Sequence, residues 1–101
     1  MNIWVTLFYQ GSEKWLSTHL TEKGALIYSI IQISDFIYGG RSIEQSLELK
    51  TMYDYPTSPE QELKSFSKQQ LNNFYDKWIE ELRISSNNSL QHEINKTEVM
   101  A

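Results

Sequence analysis

The sequence predicts an α+β domain, in which a small antiparallel sheet of two or three strands has two main helices packed on one face. Three observations predict this class. The apolar segment from Thr21 to Gly40 has helix signals at both ends, residues 2–9 alternate as a strand does, and residues 58–61 match the start of a second helix. We assign residues 1–84 to a single domain and residues 85–101 to a polar C-terminal tail.

Composition limits the classes of protein that this chain can belong to. A length of 101 residues, 40% of them hydrophobic, suits one domain with a packed core. The net charge of −4 argues against non-specific binding to nucleic acid or to a membrane surface. The absence of cysteine excludes disulfides and thiolate chemistry. The first ten residues lack the features of a signal peptide, so we expect a cytoplasmic protein with no membrane partner.

The first twenty residues predict a β-hairpin. From Asn2 to Tyr9, β-branched and aromatic residues fill both faces of the predicted strand, which indicates an interior strand. A turn follows at residues 10–13. Residues 14–20 are then predicted to pair back as a second, shorter strand, with a loop around Ser17 and Thr18 as the alternative.

The segment from Thr21 to Gly40 predicts the central helix. Its isoleucines and leucine recur at steps of four, three and four along one face: Leu26, Ile30, Ile33 and Ile37. Thr21 suits the N-cap, and Gly39 with Gly40 suits the C-cap. Polar residues interrupt the apolar run, which is shorter than the roughly 20 residues that a membrane span needs. A buried core helix is therefore predicted.

Residues 46–55 alternate between apolar and polar side chains. This pattern predicts a half-buried strand with one face in water. An amphipathic helix around Ile43 and Leu47 is the alternative.

The second half of the chain contains two capping-box patterns. Ser58 with Gln61 begins a helix that is predicted to continue to about Arg83. The same pattern at Ser67 predicts a break or kink there. The tail after Arg83 is polar, so it is predicted to be flexible or to form a short helix from residue 89 to about residue 98.

The sequence contains no pattern of residues that indicates a particular catalytic or metal-binding chemistry. His19 and His92 lie in separate elements, and neither has a second metal ligand at helical spacing. Neighbouring acids such as Glu80 and Glu81 do not face each other on a helix, so they make poor acid–base pairs. We predict no catalytic residue, no metal site and no cofactor.

The predicted function is therefore a small non-catalytic protein-binding module, an inhibitor or accessory protein that occludes a protein partner of unknown identity. Small chains of mobile elements often have this character, although that is an analogy only. Exposed tyrosine and tryptophan side chains are typical of interface hot spots, and an acidic helix face would support them. The predicted contact residues are Trp15, Tyr53, Asp54, Tyr55, Asp76, Glu80 and Glu81.

Three alternatives stay open. A nucleic-acid-associated protein would stack bases on Tyr53 and Tyr55 beside a small basic patch made by Arg41, Lys50, Lys64 and Lys68. An enzyme or small-ligand-binding protein would place His19 in a deep pocket, hydrogen-bonded to a carboxylate. A homodimer would give the apolar residues of the tail a surface to pack on.

Overall fold

The computed structural model describes residues 1–39, 41–53, 59–84 and 90–98, and it confirms the α+β class. The elements are β1 (Asn2–Gln10), β2 (Glu13–His19), α1 (Glu22–Gly39), α2 (Ile43–Tyr53), α3 (Pro59–Ser65), α4 (Lys68–Ile84) and β3 (Leu90–Glu98). The sheet has the order β2-β1-β3, and both strand pairs are antiparallel. Of the two main helices that the sequence predicts, the first is α1, and the second corresponds to α3 and α4 together.

The N-terminal hairpin forms as predicted. β1 and β2 pair from Trp4 opposite His19 to Gln10 opposite Glu13, which leaves two residues for the turn. The first of them, Gly11, has a φ of 59°. Glycine adopts this left-handed conformation without steric cost, so it suits a tight hairpin turn.

The central helix also forms as predicted, and the structure explains its one unfavourable residue. The hydroxyl of Thr21 caps the helix by accepting a hydrogen bond of 3.0 Å from the backbone N–H of Gly24. A Cβ atom at position 24 would lie 3.1 Å from that hydroxyl oxygen. Glycine in the first turn therefore leaves room for the cap, at the usual cost in helix propensity.

The strand predicted at residues 46–55 is wrong over residues 46–53, because Ile43–Tyr53 is helix α2. Residues 54 and 55 lie outside the described residues. A reciprocal capping box starts helix α2. Gln45 N–H donates to Ser42 Oγ at 3.2 Å, and Ser42 N–H donates to Gln45 Oε1 at 3.1 Å. This Ser-x-x-Gln pattern decides between the two interpretations of the segment in favour of the helical alternative.

The break predicted at Ser67 is confirmed, since α3 ends at Ser65 and α4 begins at Lys68. Gln70 N–H donates to Ser67 Oγ at 3.2 Å, and Ser67 N–H donates to Gln70 Oε1 at 2.8 Å. The two orphan donors at the start of α4 are thereby satisfied. The capping box predicted at Ser58 lies outside the described residues.

Both predictions for the tail are wrong over residues 90–98, which form strand β3. This strand pairs with β1 along its whole length, from Asn2 opposite Glu98 to Gln10 opposite Leu90. Leu90 and Ile94 turn inward while the intervening odd-numbered residues are exposed. A spacing of four fits one face of a strand as well as one face of a helix, and pairing with β1 selects the strand.

The two faces of the sheet have different surroundings. The helices cover the inner face, where Thr6 and Phe8 of β1 are completely buried. The other fully buried large apolar side chains come from the helices: Ile30, Ile33, Leu63, Leu71 and Trp78. On the outer face, the odd-numbered residues of β1 are only half-buried, and Leu16 of β2 is 56% exposed. β1 is therefore central within the sheet, and the described residues cover it on one side.

The difference between the faces can be measured by substitution. We expect Phe8→Ala to lower the free energy of unfolding by about 3–5 kcal/mol, because it leaves a cavity in the core. Leu16→Ala on the outer face is expected to change it by less than about 0.5 kcal/mol. Urea unfolding at low protein concentration measures both variants, and equal losses would contradict the assignment of the faces.

His92 connects β3 to the core. Its ring is stacked on Phe8 at 4.3 Å between centroids and meets the edge of Tyr75 at 5.8 Å. Its Nδ1 lies 3.1 Å from the backbone oxygen of Leu7, which can only accept, so Nδ1 donates. Burial lowers the pKa of His92, and the Leu7 hydrogen bond and the charge of Glu93 offset this only in part.

We expect the protein to lose stability as the pH falls below 6.5, the ordinary pKa of histidine. The unfolded chain then binds a proton at His92 that the folded chain resists, so the free energy of unfolding decreases with falling pH. Urea unfolding at pH 8, 7, 6 and 5 measures this slope, which His92→Phe should reduce. Burial also lowers the pKa of His19, so His19→Gln serves as the comparison that removes the contribution of His19.

Candidate partner-binding surface

The predicted contact residues do not form one patch among the residues that the structure describes. Trp15 lies on the inner face of β2, half-buried, with its ring stacked on Phe8 at 5.5 Å and 8°. Its packing thus anchors the hairpin to the core. Tyr53 is the last residue of α2, while Asp54 and Tyr55 lie outside the described residues.

The predicted acidic face of α4 divides into two environments. Asp76 and Glu80 are exposed, and Glu80 forms an ion pair with Arg83 at 3.3 Å. Glu81 is only 7% exposed, and its Oε1 lies 2.5 Å from Nη2 of Arg41. The carboxylate of Glu81 therefore holds the segment before α2 against α4, inside the fold.

Helix α2 is the element with the most exposed apolar side chains. Ile43 is 81% exposed, Leu47 58% and Met52 64%, whereas Leu49 is buried. Ile43 and Leu47 are one turn apart, so they share a side of the helix. This is unusual for a helix in a small domain, where apolar residues normally turn towards the core.

A groove of about 380 Å³ lies beside this side of α2. We call it the α2 groove. Tyr38 of α1 forms one wall, and residues of α2 and its approach form the rest: Arg41, Ile43, Ser46, Leu47 and Lys50. No carboxylate is among the lining residues, and two are cations. Because Arg41 is paired with Glu81, Lys50 is the cation that gives this apolar surface a basic border, whereas the sequence predicted an acidic and aromatic surface.

Sequence reasoning missed the α2 groove because it predicted a strand there. In a strand, Leu47, Leu49 and Thr51 share one face; in the helix, Leu49 is buried and Leu47 is exposed. The spacing of Ile43, Leu47 and Lys50, together with the Ser42–Gln45 capping box, is the signal that could have located this surface.

A second cleft, of about 480 Å³, lies between β3, α1 and α4. Its charged lining residues are Glu22, Asp76 and Lys96, and two of them engage other side chains. Glu22 pairs with Lys68 at 2.7 Å, and the Lys96 ammonium lies 5.8 Å from the centroid of the Trp4 ring. Asp76 is the predicted contact residue that lines this cleft. The mixed charge gives it no marked preference for one kind of ligand.

A third cleft, of about 390 Å³, contains His19. The Nε2 atom of His19 lies 2.7 Å from Ser17 Oγ, which lies 2.6 Å from Thr6 Oγ1. Ser17 does not line the cleft, and no carboxylate is among the described hydrogen-bond partners of His19. The three groups join β1 to β2 through side-chain hydrogen bonds.

No protein-family model matches this chain, and neither a curated protein nor a solved structure shows significant similarity to it. Within the described ranges, no helix is both long and apolar enough to cross a membrane. Across those same residues, no three His, Asp or Glu side chains converge as a metal-binding group. The exposed surfaces of the fold are therefore the basis on which a function is proposed.

The two arginine ion pairs allow a matched test of the segment before α2. We expect Arg41→Ala to lower the free energy of unfolding by about 2 kcal/mol, because it removes the guanidinium that pairs with the mostly buried Glu81 carboxylate. Arg83→Ala, which breaks the exposed pair with Glu80, should cost less than about 0.5 kcal/mol. Chemical denaturation measures both, and a larger loss for Arg83→Ala would contradict this assignment.

Proposed function

We propose that this chain is a small non-catalytic protein-binding module, an inhibitor or accessory protein that occludes a partner through the α2 groove. The observation that carries the proposal is the exposure of Ile43 and Leu47 beside a groove with an apolar floor. Burying a side chain of this size contributes roughly 1.5–3 kcal/mol. Two such residues and a groove are enough to form the centre of a small hot spot.

The lining of the α2 groove indicates what the partner presents. An apolar side chain would enter between Tyr38 and Leu47, and a carboxylate would approach Lys50 at the border. An amphipathic segment of the partner that combines both features matches this surface. The proposed partner is thus a protein with an apolar anchor and a neighbouring acid.

The attachment of α2 supports a surface that is formed before binding. The Arg41–Glu81 ion pair connects the start of the α2 segment to α4, and the buried Leu49 fixes the helix to the core. A surface held in this way loses little conformational freedom on association, which favours affinity.

The basic patch that a nucleic-acid-associated protein would use is largely neutralised. Of its four predicted cations, Arg41 pairs with Glu81, Lys64 with Glu60 at 3.7 Å, and Lys68 with Glu22. Phosphate binding depends on cations that are available to release counterions. This pairing favours a protein partner over a nucleic acid.

Affinity capture from a lysate of the source cell tests the proposal. The bait is the full chain, compared with Leu47→Lys, which places a charge in the α2 groove, and with Met52→Lys, which adds the same charge outside it. We expect one protein to be captured in stoichiometric amount by the unaltered chain and by Met52→Lys. Leu47→Lys should reduce its binding at least tenfold, because a charged group cannot replace the apolar contact.

Nuclease treatment and circular dichroism provide the controls. Capture should survive nuclease, and Leu47→Lys should keep the spectrum and unfolding midpoint of the unaltered chain. A partner that binds Leu47→Lys as well as it binds Met52→Lys would overturn the assignment of the surface. Loss of the captured material on nuclease treatment would favour the nucleic-acid alternative instead.

A further inference from the structure

The outer face of the sheet carries an apolar strip that the described helices leave uncovered. Along β1, the half-buried Ile3, Val5, Leu7 and Tyr9 point outward, and Leu16 of β2 lies directly opposite Leu7. An open antiparallel sheet usually presents polar residues on its solvent face. The central strand here does the opposite.

Polar residues border this strip on both sides. The register places Lys14 and Thr18 on the β2 side, and Gln91, Glu93, Asn95 and Thr97 on the β3 side. An apolar centre with a polar rim is the usual anatomy of a protein interface. The outer face therefore has the composition of a surface that another molecule covers.

The charges of this face have opposite signs on opposite flanks. The cation is Lys14 on β2, which is paired with Tyr9 of β1. The anion is Glu93 on β3, which is paired with Leu7 of β1. Both lean towards the Tyr9 row. The Lys14 ammonium lies 5.5 Å from the centroid of the Tyr9 ring, and the Tyr9 hydroxyl donates to Glu93 Oε1 at 3.4 Å.

We propose that a second copy of this chain covers the outer face, with the two sheets face to face about a two-fold axis parallel to β1. Such a rotation places β1 over β1 and exchanges the flanks, so that β2 of each copy lies over β3 of the other. Lys14 then lies over the partner's β3 at the level of the Tyr9 row, one side-chain row from Glu93. That separation of about 7 Å is within reach of a lysine side chain.

The positions of Lys14 and Glu93 favour a second copy of the chain as the partner, and they favour a two-fold axis parallel to β1. In a two-fold interface each contact occurs twice, so a surface must be complementary to itself. The axis along β1 brings Lys14 to Glu93 and the apolar strip to the apolar strip. A two-fold axis across the strands would instead place β2 over β2 and β3 over β3, with like charges on the same side.

The size of the face predicts a weak, reversible dimer. Three strands spaced about 4.8 Å apart and four side-chain rows make a footprint of roughly 14 by 27 Å. Covering it on both copies buries on the order of 800 Å², which is below the range of stable specific interfaces and suits a weak one. Dimers are therefore expected in the micromolar range or weaker. The α2 groove is not part of this face, so the dimer and the proposed function can fail independently.

Sedimentation velocity of the full chain over a concentration series, from about 1 μM to 1 mM, tests the dimer. The expected result is a concentration-dependent shift from monomer to dimer, which Leu16→Lys abolishes. Lys14→Glu and Glu93→Lys should each weaken the dimer about tenfold, because each places two like-charged contacts in the interface. The double variant, which exchanges the two charges, should restore it.

Lys77→Glu on α4 is the matched control, since it changes the net charge equally but leaves the outer face unaltered. It should dimerise as the unaltered chain does, and thermal unfolding at low concentration verifies that every variant is folded. A monomer at every concentration would overturn the proposal. So would a dimer that Leu16→Lys leaves intact, or a double variant that fails to restore association.

Discussion

The ring of Phe8 is the contact on which the rest of the structure depends. It is completely buried at the centre of the middle strand, and it touches a ring from each neighbouring strand and from the first long helix. Trp15 and His92 stack on it from β2 and β3, and Tyr28 of α1 meets it edge to face at 6.2 Å. Aromatic pairs of this kind add to the free energy gained by burial alone. The Phe8 side chain thus connects the N-terminal hairpin, the central helix α1 and the strand β3.

The position of β1 has a consequence for the order of assembly. Its partner on one side follows after a two-residue turn, whereas its partner on the other side comes from the far end of the chain. The hairpin closes a short loop, whereas the four helices of the described ranges lie between β1 and β3 in the sequence. Such non-local pairing is slow compared with local contacts. The neutral His92 ring in the last strand adds a dependence on pH to this pairing.

Among the described residues, the outer face of the sheet and the exposed side of α2 form two separate apolar surfaces. In a chain of this length the ratio of surface to volume is high, so some apolar area stays outside. What distinguishes these surfaces is their organisation. The α2 groove has a basic border, and the outer sheet face has one charge of each sign. The first suits a partner with an acid, and the second suits a copy of itself.

The sequence by itself determined the elements whose signals are local. The hairpin, the central helix and the break at Ser67 depend on a turn glycine, a capping threonine and a capping box, all within a few residues of the backbone they shape. The α+β class followed from these elements, because a short sheet and two amphipathic helices have few ways to bury their apolar faces.

The tertiary structure alone decided the rest. Leu90 and Ile94 fit a strand or a helix equally, and only the free edge of β1 made them a strand. Residues 46–53 differ, because alternation and helical spacing overlapped there and a local signal, the Ser42–Gln45 capping box, favours the helix. Local sequence patterns also did not predict which side chains are exposed. The sequence predicted Trp15 and Glu81 as surface contact residues, whereas Trp15 stacks on Phe8 and Glu81 pairs with Arg41. Contacts between distant residues set which side chains face water, so the candidate binding surfaces emerged only from the folded chain.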